Sequence, residues 1–374
     1  MNVAFVNENT LGHASYLRPF VQALRARPEL GVKPHELDAT PLPKSLALRA
    51  DFSVRGLRKW GLDFHNARWR LTVSRHVHNL LAGLRSRQPI DAIVVNTQSV
   101  ALGLAEMAAE IPVLVCLDAT FAQLSRTRWF APNAPSRLFL PLTSAPVRVR
   151  ERKLFRVAHH FLPWSEAACQ SLLEDYQIPA EHISILPPSL TLPPRRRQNK
   201  PAGATPQLLF VGGDFSRKGG PRLVECFRRH LAGRCELHLV THSEIPPAPG
   251  VFIHRGLTAQ SEAWQERWRQ ADVFVFPSTL ETFGIVLVEA LAYEVPTIAA
   301  EVGAAREILA DGAAGWLLPD ASATSLAAAI NQVLHDPLAA QARAQVGRQR
   351  VEQFYNLDTN AAALAGWLRQ AAGV

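Results

Sequence analysis

Short apolar runs recur along the chain, and each leads through a polar or glycine-bearing turn into a stretch of helical length. The runs at 3–7, 91–96, 112–117, 208–211 and 273–276 are continuous in apolar character or nearly so. Such runs are typical of strands buried on both faces, which occur where parallel strands are joined by covering helices. The pattern therefore predicts an α/β protein built from repeated strand–turn–helix units.

Two of these units stand in tandem over residues 272–319. The strand at 273–276 leads through the turn Glu281-Thr282-Phe283-Gly284 into the apolar helix 285–292, and a second strand and helix follow over 296–309. In open parallel sheets, ligands bind outside the carboxyl ends of the strands. The turn after the first strand is therefore a candidate ligand site.

This turn combines two carboxylates with an expected anion site. Gly284 allows a ligand to approach the backbone closely, and the first N–H groups of the following helix suit a phosphate. Glu281 precedes the helix and Glu289 lies about two turns along it. Carboxylates accept hydrogen bonds strongly from hydroxyl groups, so a nucleotide-sugar would satisfy both features. The alternative is that Glu289 is the solvent-facing side of the helix and Glu281 a loop charge.

A second turn, Gly212–Gly220, is rich in glycine and follows the strand at 208–211. Its Arg217 and Lys218 stand beside backbone N–H groups, a combination that favours a polyanion. The alternative is a solvated surface turn. As a ligand site, it would lie at the opposite end of the same ligand from Glu281 and Glu289, with a diphosphate between the two turns.

The N-terminal half has two weaker candidates at strand ends. Gly12 and His13 lie in the turn after the first strand, where backbone amides could face a phosphate or a sugar, or where the turn could be purely structural. Asp118 follows the strand at 112–117, a position where active-site residues collect. Its alternative role is an N-cap for the next helix.

Elsewhere the pattern predicts helices over 16–27, 100–110 and 221–231. The proline-containing segment 131–146 is typical of an exposed loop, a usual place for residues that bind a substrate. The stretch 190–206 is rich in proline and arginine and predicts a linker. A chain of 374 residues with 48% hydrophobic residues is long enough for two cores, so two domains are expected.

The net charge of +8 is concentrated in the N-terminal half. Residues 1–200 hold 26 Lys and Arg against 15 Asp and Glu, whereas residues 201–374 hold 14 against 17. A basic half could favour nucleic acid, an anionic membrane surface or an anionic substrate. Charge alone does not choose among these partners.

Residues 44–88 carry ten Lys and Arg and two Asp. One interpretation is an interfacial helix that docks on an anionic membrane; the other is a basic outer face whose aromatic side chains point into the core. The residues concerned are the apolar Phe52, Leu57, Trp60, Leu62, Phe64, Trp69 and Leu71 and the basic Arg58, Lys59, Arg68, Arg70 and Arg75.

The cysteines and the N-terminus indicate the compartment. Cys116, Cys169, Cys226 and Cys235 have no CxxC spacing, which argues for reduced thiols and against a zinc site. The apolar run at the N-terminus is too short for a signal peptide or a membrane span. We therefore expect a cytoplasmic protein, with peripheral contact to the inner face of the membrane as the open question.

The stretch that carries Glu281 and Glu289 resembles the E-x7-E region of retaining glycosyltransferase family four. The resemblance implies that Glu281 contacts the donor sugar and Glu289 the nucleotide ribose, while backbone amides of Thr282-Phe283-Gly284-Ile285 hold the diphosphate. Two departures are Tyr293-Glu294, where the family has a small residue and glycine, and Ala304-Ala305-Arg306, where it has Gly-Gly.

Further positions are implied by the same resemblance. Arg217 and Lys218, with Gly213 in their turn, match the pair that neutralises the diphosphate and assists its departure. Arg255 falls in the turn that lies against the nucleobase. Gly12 and His13 match a loop that faces donor and acceptor, and Asp118 a polar residue near the reacting sugar carbon. The family is usually assigned a front-face route with the leaving phosphate as base, so Asp118 is expected to contact the substrate.

The resemblance also implies the GT-B fold, with two Rossmann-like, doubly wound parallel-sheet domains facing across a cleft. The expected divisions are an acceptor-side domain at 1–190, a linker at 191–206, a donor domain at 207–356 and a terminal helix at 357–374 that crosses back to the first domain.

We therefore predict a metal-independent, retaining hexosyltransferase with no resident cofactor. Its donor is a nucleoside-diphosphate sugar, UDP- or GDP-linked, and its acceptor is a glycan, a lipid-linked molecule or a small molecule. The absence of HExxH, GxSxG, Walker and DxD patterns from the sequence argues against the other chemistries considered. The alternatives are a sugar-nucleotide 2-epimerase-like isomerase, and a basic membrane- or nucleic-acid-binding protein with a vestigial donor site; nucleic acid is not the expected partner.

Overall fold

The computed structural model describes residues 1–9, 11–51, 62–130, 133–195, 203–259 and 261–373. The predictions for Phe52, Leu57, Arg58, Lys59 and Trp60 lie outside the described residues, as does the middle of the predicted linker. Contacts divide the chain into two compact units, one formed by Met1–Ser189 with Leu357–Val374 and the other by Leu190–Asn356.

The first unit is built on a five-stranded parallel sheet with the order β2-β1-β3-β4-β5. Its strands are β1 Asn2–Asn7, β2 Lys33–Asp38, β3 Ala92–Asn96, β4 Val113–Leu117 and β5 His160–Pro163. Strands β3 and β4 are buried at every residue, which explains why their sequences are continuously apolar. The edge strand β2 is half-exposed and polar, so the apolar pattern did not predict it.

The second unit has a six-stranded parallel sheet with the order β11-β10-β9-β6-β7-β8. Its strands are β6 Gln207–Val211, β7 Glu236–Val240, β8 Val251–His254, β9 Val273–Phe276, β10 Thr297–Ala300 and β11 Trp316–Leu318. Strands β6 and β9 are neighbours, so the turns that follow them leave the same edge of the sheet side by side.

Helices cover the sheets of both units. In chain order they are α1 Leu17–Ala26, α2 Lys44–Ala50, α3 His65–Arg85, α4 Phe121–Arg126, α5 Ala134–Thr143, α6 Ala145–Phe155, α7 Glu166–Tyr176, α8 Gly220–Cys226, α9 Glu262–Gln270, α10 Ile285–Ala292, α11 Ala305–Ile308, α12 Ala323–His335, α13 Pro337–Phe354 and α14 Leu357–Ala372. Within the described ranges, none of them is long and apolar enough to cross a membrane.

Two predicted segments differ from the structure. The expected helix at 100–110 is wrong, because the chain there has only short 3-10 turns at Gln98–Val100 and Met107–Ala109. Tertiary hydrogen bonds hold this segment instead: the Leu102 N–H donates to Ser74 Oγ at 3.0 Å, and Ser99 Oγ to Glu8 Oε2 at 2.5 Å.

The expected loop at 131–146 is also wrong over its described part, which forms α5 and the start of α6. Each helix has a proline in its first turn, where the missing N–H costs nothing. Asn133 caps α5 by accepting the Ser136 N–H at 2.9 Å. Pro135 and Pro146 are therefore helix-start residues, while Pro141 lies inside α5.

The expected helix at 221–231 is an α-helix only over Gly220–Cys226, and a π-helical turn follows at Phe227–Leu231.

In the segment 44–88, the described Trp69 packs against the core of the first unit. That arrangement fits the interpretation of a basic outer face, while membrane contact stays a prediction.

Candidate functional site

The cationic turn after β6 rests directly against the loop after β9. Gly219 has a φ of +79°, and a Cβ added there would lie 1.9 Å from the carbonyl oxygen of Pro277. No other residue type fits both the left-handed backbone and this close approach. Gly219 thus allows the turn to lie on the neighbouring loop.

Side chains extend the contact between these two segments. Lys218 Nζ donates to Glu281 Oε2 at 2.6 Å, and Arg217 donates to the Leu280 carbonyl oxygen at 2.8 Å. A guanidinium nitrogen of Arg217 also lies 3.5 Å from Glu281 Oε2. The lysine and glutamate side chains are only 15% and 10% exposed, so water screens this ion pair weakly. The two turns therefore contact each other directly, whereas the position of a ligand relative to them stays a prediction.

The turn into α10 is shaped by two further glycines. Gly284, at φ +95°, is the N-cap residue of α10, and no side chain caps the helix. Its first N–H groups are therefore available to an anion. Gly303 packs closely against this turn, because a Cβ added at Gly303 would lie 2.8 Å from the carbonyl oxygens of Glu281 and Thr282.

The other residues of this turn differ in exposure. Phe283 is buried and packs edge-on against Tyr355 with ring centroids 6.4 Å apart. Thr282 and Ile285 are half-buried at the start of α10. Phe283 therefore anchors the turn, while its neighbours border the surface.

Glu289 is half-buried on α10, and its Oε2 is buried without a hydrogen-bond partner in the described part of the chain. Burial raises the pKa of this carboxyl to about 7, and the positive charge of Lys218 opposes the rise. A buried polar oxygen without a partner is costly and commonly marks a functional group. The arrangement suits a carboxyl that receives hydrogen bonds from a ligand.

Gly213 and Arg255 lie at the ends of β6 and β8 in the same unit. Gly213 is exposed, and the atom closest to a Cβ added there would be His242 Cδ2 at 3.6 Å. Arg255 is exposed and has no ion pair among the described residues. These two residues border solvent at strand ends, whereas Arg217 and Lys218 contact Glu281 directly.

The first unit brings His13 and Asp118 together. His13 Nε2 lies 3.7 Å from an Asp118 carboxylate oxygen, and the two side chains are 15% and 14% exposed. The imidazole packs on Trp164 at 5.2 Å, while the preceding Gly12 is exposed in the turn Leu11–Ser15. Thr120 caps α4 with a capping box, so the alternative role of Asp118 as the N-cap is wrong.

Sequence reasoning missed a buried polar network at the same sheet edge. Glu8 accepts hydrogen bonds from Thr97 and Ser99, and Glu151 accepts from the Phe121 N–H at 3.2 Å and from Tyr176 Oη. Burial raises the pKa of Glu151 above its ordinary value. A signal was present, because Glu8 directly follows strand β1 and the polar run 97–99 directly follows strand β3.

Arg70 is the cation of this network. Its charge interacts with Glu8, Glu151 and Asp118, and its guanidinium lies over the Phe130 ring at 5.4 Å. Burial lowers the pKa of Arg70, yet a guanidinium keeps its proton at neutral pH. Arg70 thus balances acidic groups from three segments of the first unit.

Two adjacent cavities open beside this network. One has a volume of about 440 Å³ and is lined by polar and aromatic side chains, among them Asn66, Asn133 and Trp129. The other, of about 320 Å³, is lined by Arg137, Arg148 and Arg152. The cavities share Phe121, Leu140 and Ser144, so they are neighbours within one unit.

Comparison with known proteins identifies part of the second unit. Residues 256–350 match the family model described as Glycosyl transferases group 1. The matched segment contains Glu281 and Glu289, and it begins after Arg217 and Lys218. The alpha-maltose-1-phosphate synthase of Mycolicibacterium smegmatis is 41% identical over 174 residues, which cover 40% of this chain and 44% of that protein. The chain covers less than half of the length of the curated relatives it matches.

Solved structures match over nearly the whole chain. Sucrose-phosphate synthase from Thermosynechococcus elongatus aligns with a TM-score of 0.71 at 19% identity and covers 99% of this chain and 98% of that one. Anabaena HepE in complex with UDP-glucose aligns with a TM-score of 0.64 at 16% identity, covering 99% and 100%. With the two parallel sheets, these likenesses identify the fold as GT-B, as the sequence analysis predicted.

Within the described residues, no group of three or more His, Cys, Asp and Glu side chains could hold a metal ion. Metal independence nevertheless stays a prediction, as do the roles of the individual site residues.

Proposed function

We propose that the chain is a retaining glycosyltransferase that moves a hexose from a nucleoside-diphosphate sugar to a hydroxyl group of an acceptor. The observation that carries the proposal is the contact of Lys218 and Arg217 with Glu281, beside the unpartnered carboxyl of Glu289. The segment that matches glycosyl transferases group 1 includes both glutamates, which supports the same conclusion. A UDP-linked donor is the first choice, because the similar HepE structure contains UDP-glucose.

The main candidate site residues of the second unit have the following proposed roles. Arg217 and Lys218 bind the diphosphate, whose charge grows as the bond to the sugar breaks, and fixed cations stabilise that charge. Backbone amides at Gly213 and at the start of α10 bind further phosphate oxygens. Glu281 accepts hydrogen bonds from the sugar hydroxyls, Glu289 accepts them from the ribose, and Arg255 contacts the base.

Retention would follow a front-face route. The acceptor hydroxyl attacks the anomeric carbon on the side from which the diphosphate departs, and a diphosphate oxygen takes the hydroxyl proton. In this route no protein carboxylate forms a bond to the sugar, in contrast to a double displacement. Asp118 and His13 contact the transferred sugar, and the resident cations carry the charge stabilisation that a metal supplies elsewhere.

The test is a panel of UDP- and GDP-sugars offered to the purified protein with and without EDTA, with nucleoside-diphosphate release as the readout. We expect nucleoside-diphosphate release from one donor, unaffected by EDTA. By NMR, the transferred sugar in the product should have the same anomeric configuration as in the donor. Lys218→Ala should reduce release about 100-fold or more, since it removes a charge that stabilises the departing group.

Arg222→Ala is the matched control, because Arg222 is an exposed cation on α8, four residues from Lys218. Its release rate should equal that of the unchanged protein. Failure to turn over any donor, or equal rates for Lys218→Ala and Arg222→Ala, would contradict the transferase. Nucleotide release with an epimerised sugar and no acceptor would instead favour the isomerase.

A further inference from the structure

Three arginines of the first unit face one cavity. Arg148 and Arg152 stand four residues apart on α6 and so lie on the same helix face, and Arg137 projects from the preceding helix α5. All three line the cavity of about 320 Å³, and none of the described residues that line it is a carboxylate. The cavity is therefore strongly cationic.

The three guanidinium groups have no ion pair or side-chain hydrogen bond in the part of the chain that the structure describes. Their neighbours are different: Lys153 on the same helix lies 3.6 Å from Glu106, and Arg126 pairs with Asp175. Like charges four residues apart repel each other on a helix. The cluster that faces the cavity is thus uncompensated, whereas Lys153 and Arg126 have acidic partners.

Other polar groups of the lining are already occupied. Tyr176 Oη donates to Glu151, Ser144 Oγ donates to the Leu140 carbonyl oxygen at 2.6 Å, and Ser125 Oγ to that of Ala122 at 2.7 Å. Recognition in this cavity therefore depends on the arginines. Guanidinium groups match phosphate oxygens in geometry and charge, and several of them together select a phosphate over a neutral group.

We propose that this cavity binds a phosphate group of the acceptor and that the adjacent cavity of about 440 Å³ binds the hydroxyl-bearing part of the same molecule. Asn66 and Asn133 supply amide groups for hydroxyls in that second cavity, and Trp129 supplies an aromatic face. The shared wall residue Phe121 follows Asp118 by three positions, so both cavities lie near the carboxyl end of β4. The inference rests on the proposed transferase function, since it names the class of its acceptor.

The first experiment measures binding of inorganic phosphate to the full-length protein by calorimetry. The variant is Arg148→Gln/Arg152→Gln, and the control is Arg150→Gln, an exposed arginine of α6 that does not line the cavity. We expect the double variant to bind phosphate at least tenfold more weakly and the control to bind it normally. Equal binding by the double variant and the unchanged protein would overturn the proposal.

Stability separates a binding role from a structural one. Because the two arginines repel each other, their replacement by glutamine should leave the melting temperature unchanged or slightly raise it. The conservative double variant Arg148→Lys/Arg152→Lys keeps the charge but loses the planar fork, so it should restore part of the phosphate affinity. If the double glutamine variant unfolds, the phosphate affinities of the conservative variant and of Arg137→Gln are compared with that of Arg150→Gln instead.

Two arms then distinguish the source of the phosphate. One adds a soluble sugar phosphate as a competitor of inorganic phosphate; the other measures co-sedimentation with phosphatidylcholine vesicles that contain phosphatidylinositol. Competition in the first arm alone indicates a soluble phosphorylated acceptor, and arginine-dependent sedimentation indicates a lipid headgroup. Both arms are independent of donor turnover, so a protein that releases no nucleotide would contradict the proposed function without changing the result for phosphate.

Discussion

Glu289 is a site carboxyl whose protonation should affect the stability of the fold. Its pKa of about 7 in the folded protein lies above the ordinary value of 4.5, because burial disfavours the charged form. Between these pH values the folded protein binds a proton that the unfolded chain has lost. Stability should therefore fall as pH rises from 4.5 to 7, by up to about 3 kcal/mol at 1.36 kcal/mol per pKa unit.

Glu289→Gln should remove this part of the pH dependence, because an amide does not titrate. The measurement is urea unfolding of both proteins across the interval from weakly acid to neutral pH. Glu244→Gln is the control, since Glu244 is an exposed glutamate of the same unit, and it should leave the slope unchanged. If stability depended on pH in the same way for Glu289→Gln and the unchanged protein, the raised pKa of Glu289 would be contradicted.

At the scale of elements, the sequence predicts what depends on local pattern. The buried strands β3, β4 and β9 follow from continuous apolar runs, and glycines mark the turns after β6 and β9. The polar edge strand β2 and the proline-started helices α5 and α6 do not follow, because their stability comes from neighbouring elements and caps.

The contact between Lys218 and Glu281 is a further example. The sequence separates the two residues by 63 positions and shows only that each occupies a turn after a strand. Their meeting depends on the order of strands, in which β6 and β9 are adjacent. The hydrogen bonds from Thr97 and Ser99 to Glu8 have the same origin, since β1 and β3 are neighbours.

Gly219→Ala tests how closely the two turns pack. Gly219 and Gly233 both have left-handed backbones, with φ of +79° and +76°, but only Gly219 has a close neighbour, the Pro277 carbonyl oxygen at 1.9 Å from an added Cβ. Gly233→Ala should cost about 1–2 kcal/mol for the backbone conformation alone. Gly219→Ala should cost at least about 3 kcal/mol in total, since the turns must also separate.

The two variants should also differ in UDP binding. Separation of the turns moves Lys218 from Glu281, so Gly219→Ala should weaken UDP binding at temperatures where the protein remains folded. Gly233→Ala should bind UDP normally, because its turn at the end of the second unit's π-helical segment has open space around it. Similar stability losses and similar UDP affinities in both variants would contradict the close packing of Gly219 on the Pro277 carbonyl oxygen.

At the scale of the whole molecule, the first unit is discontinuous in sequence. Helix α14 packs against α1 and buries Leu364 and Leu368 completely. Long-range hydrogen bonds join it to the start of the chain: Arg27 donates to the Asp358 carbonyl oxygen at 2.9 Å, and Arg369 donates to that of Leu30 at 2.8 Å. The first unit therefore needs residues from both ends of the chain to complete its core.

Leu364→Ala and Leu326→Ala test this division reciprocally. Both leucines are fully buried, Leu364 in α14 of the first unit and Leu326 in the core of the second. Each truncation should cost about 2–5 kcal/mol, because it removes buried methyl groups and leaves a cavity. If the division holds, Leu364→Ala should speed amide hydrogen exchange in β1 and β3, and Leu326→Ala should speed it in β6 and β9, since local opening follows the stability of each unit. Faster exchange in β6 and β9 for Leu364→Ala, with β1 and β3 unaffected, would contradict the assignment of the last helix to the first unit.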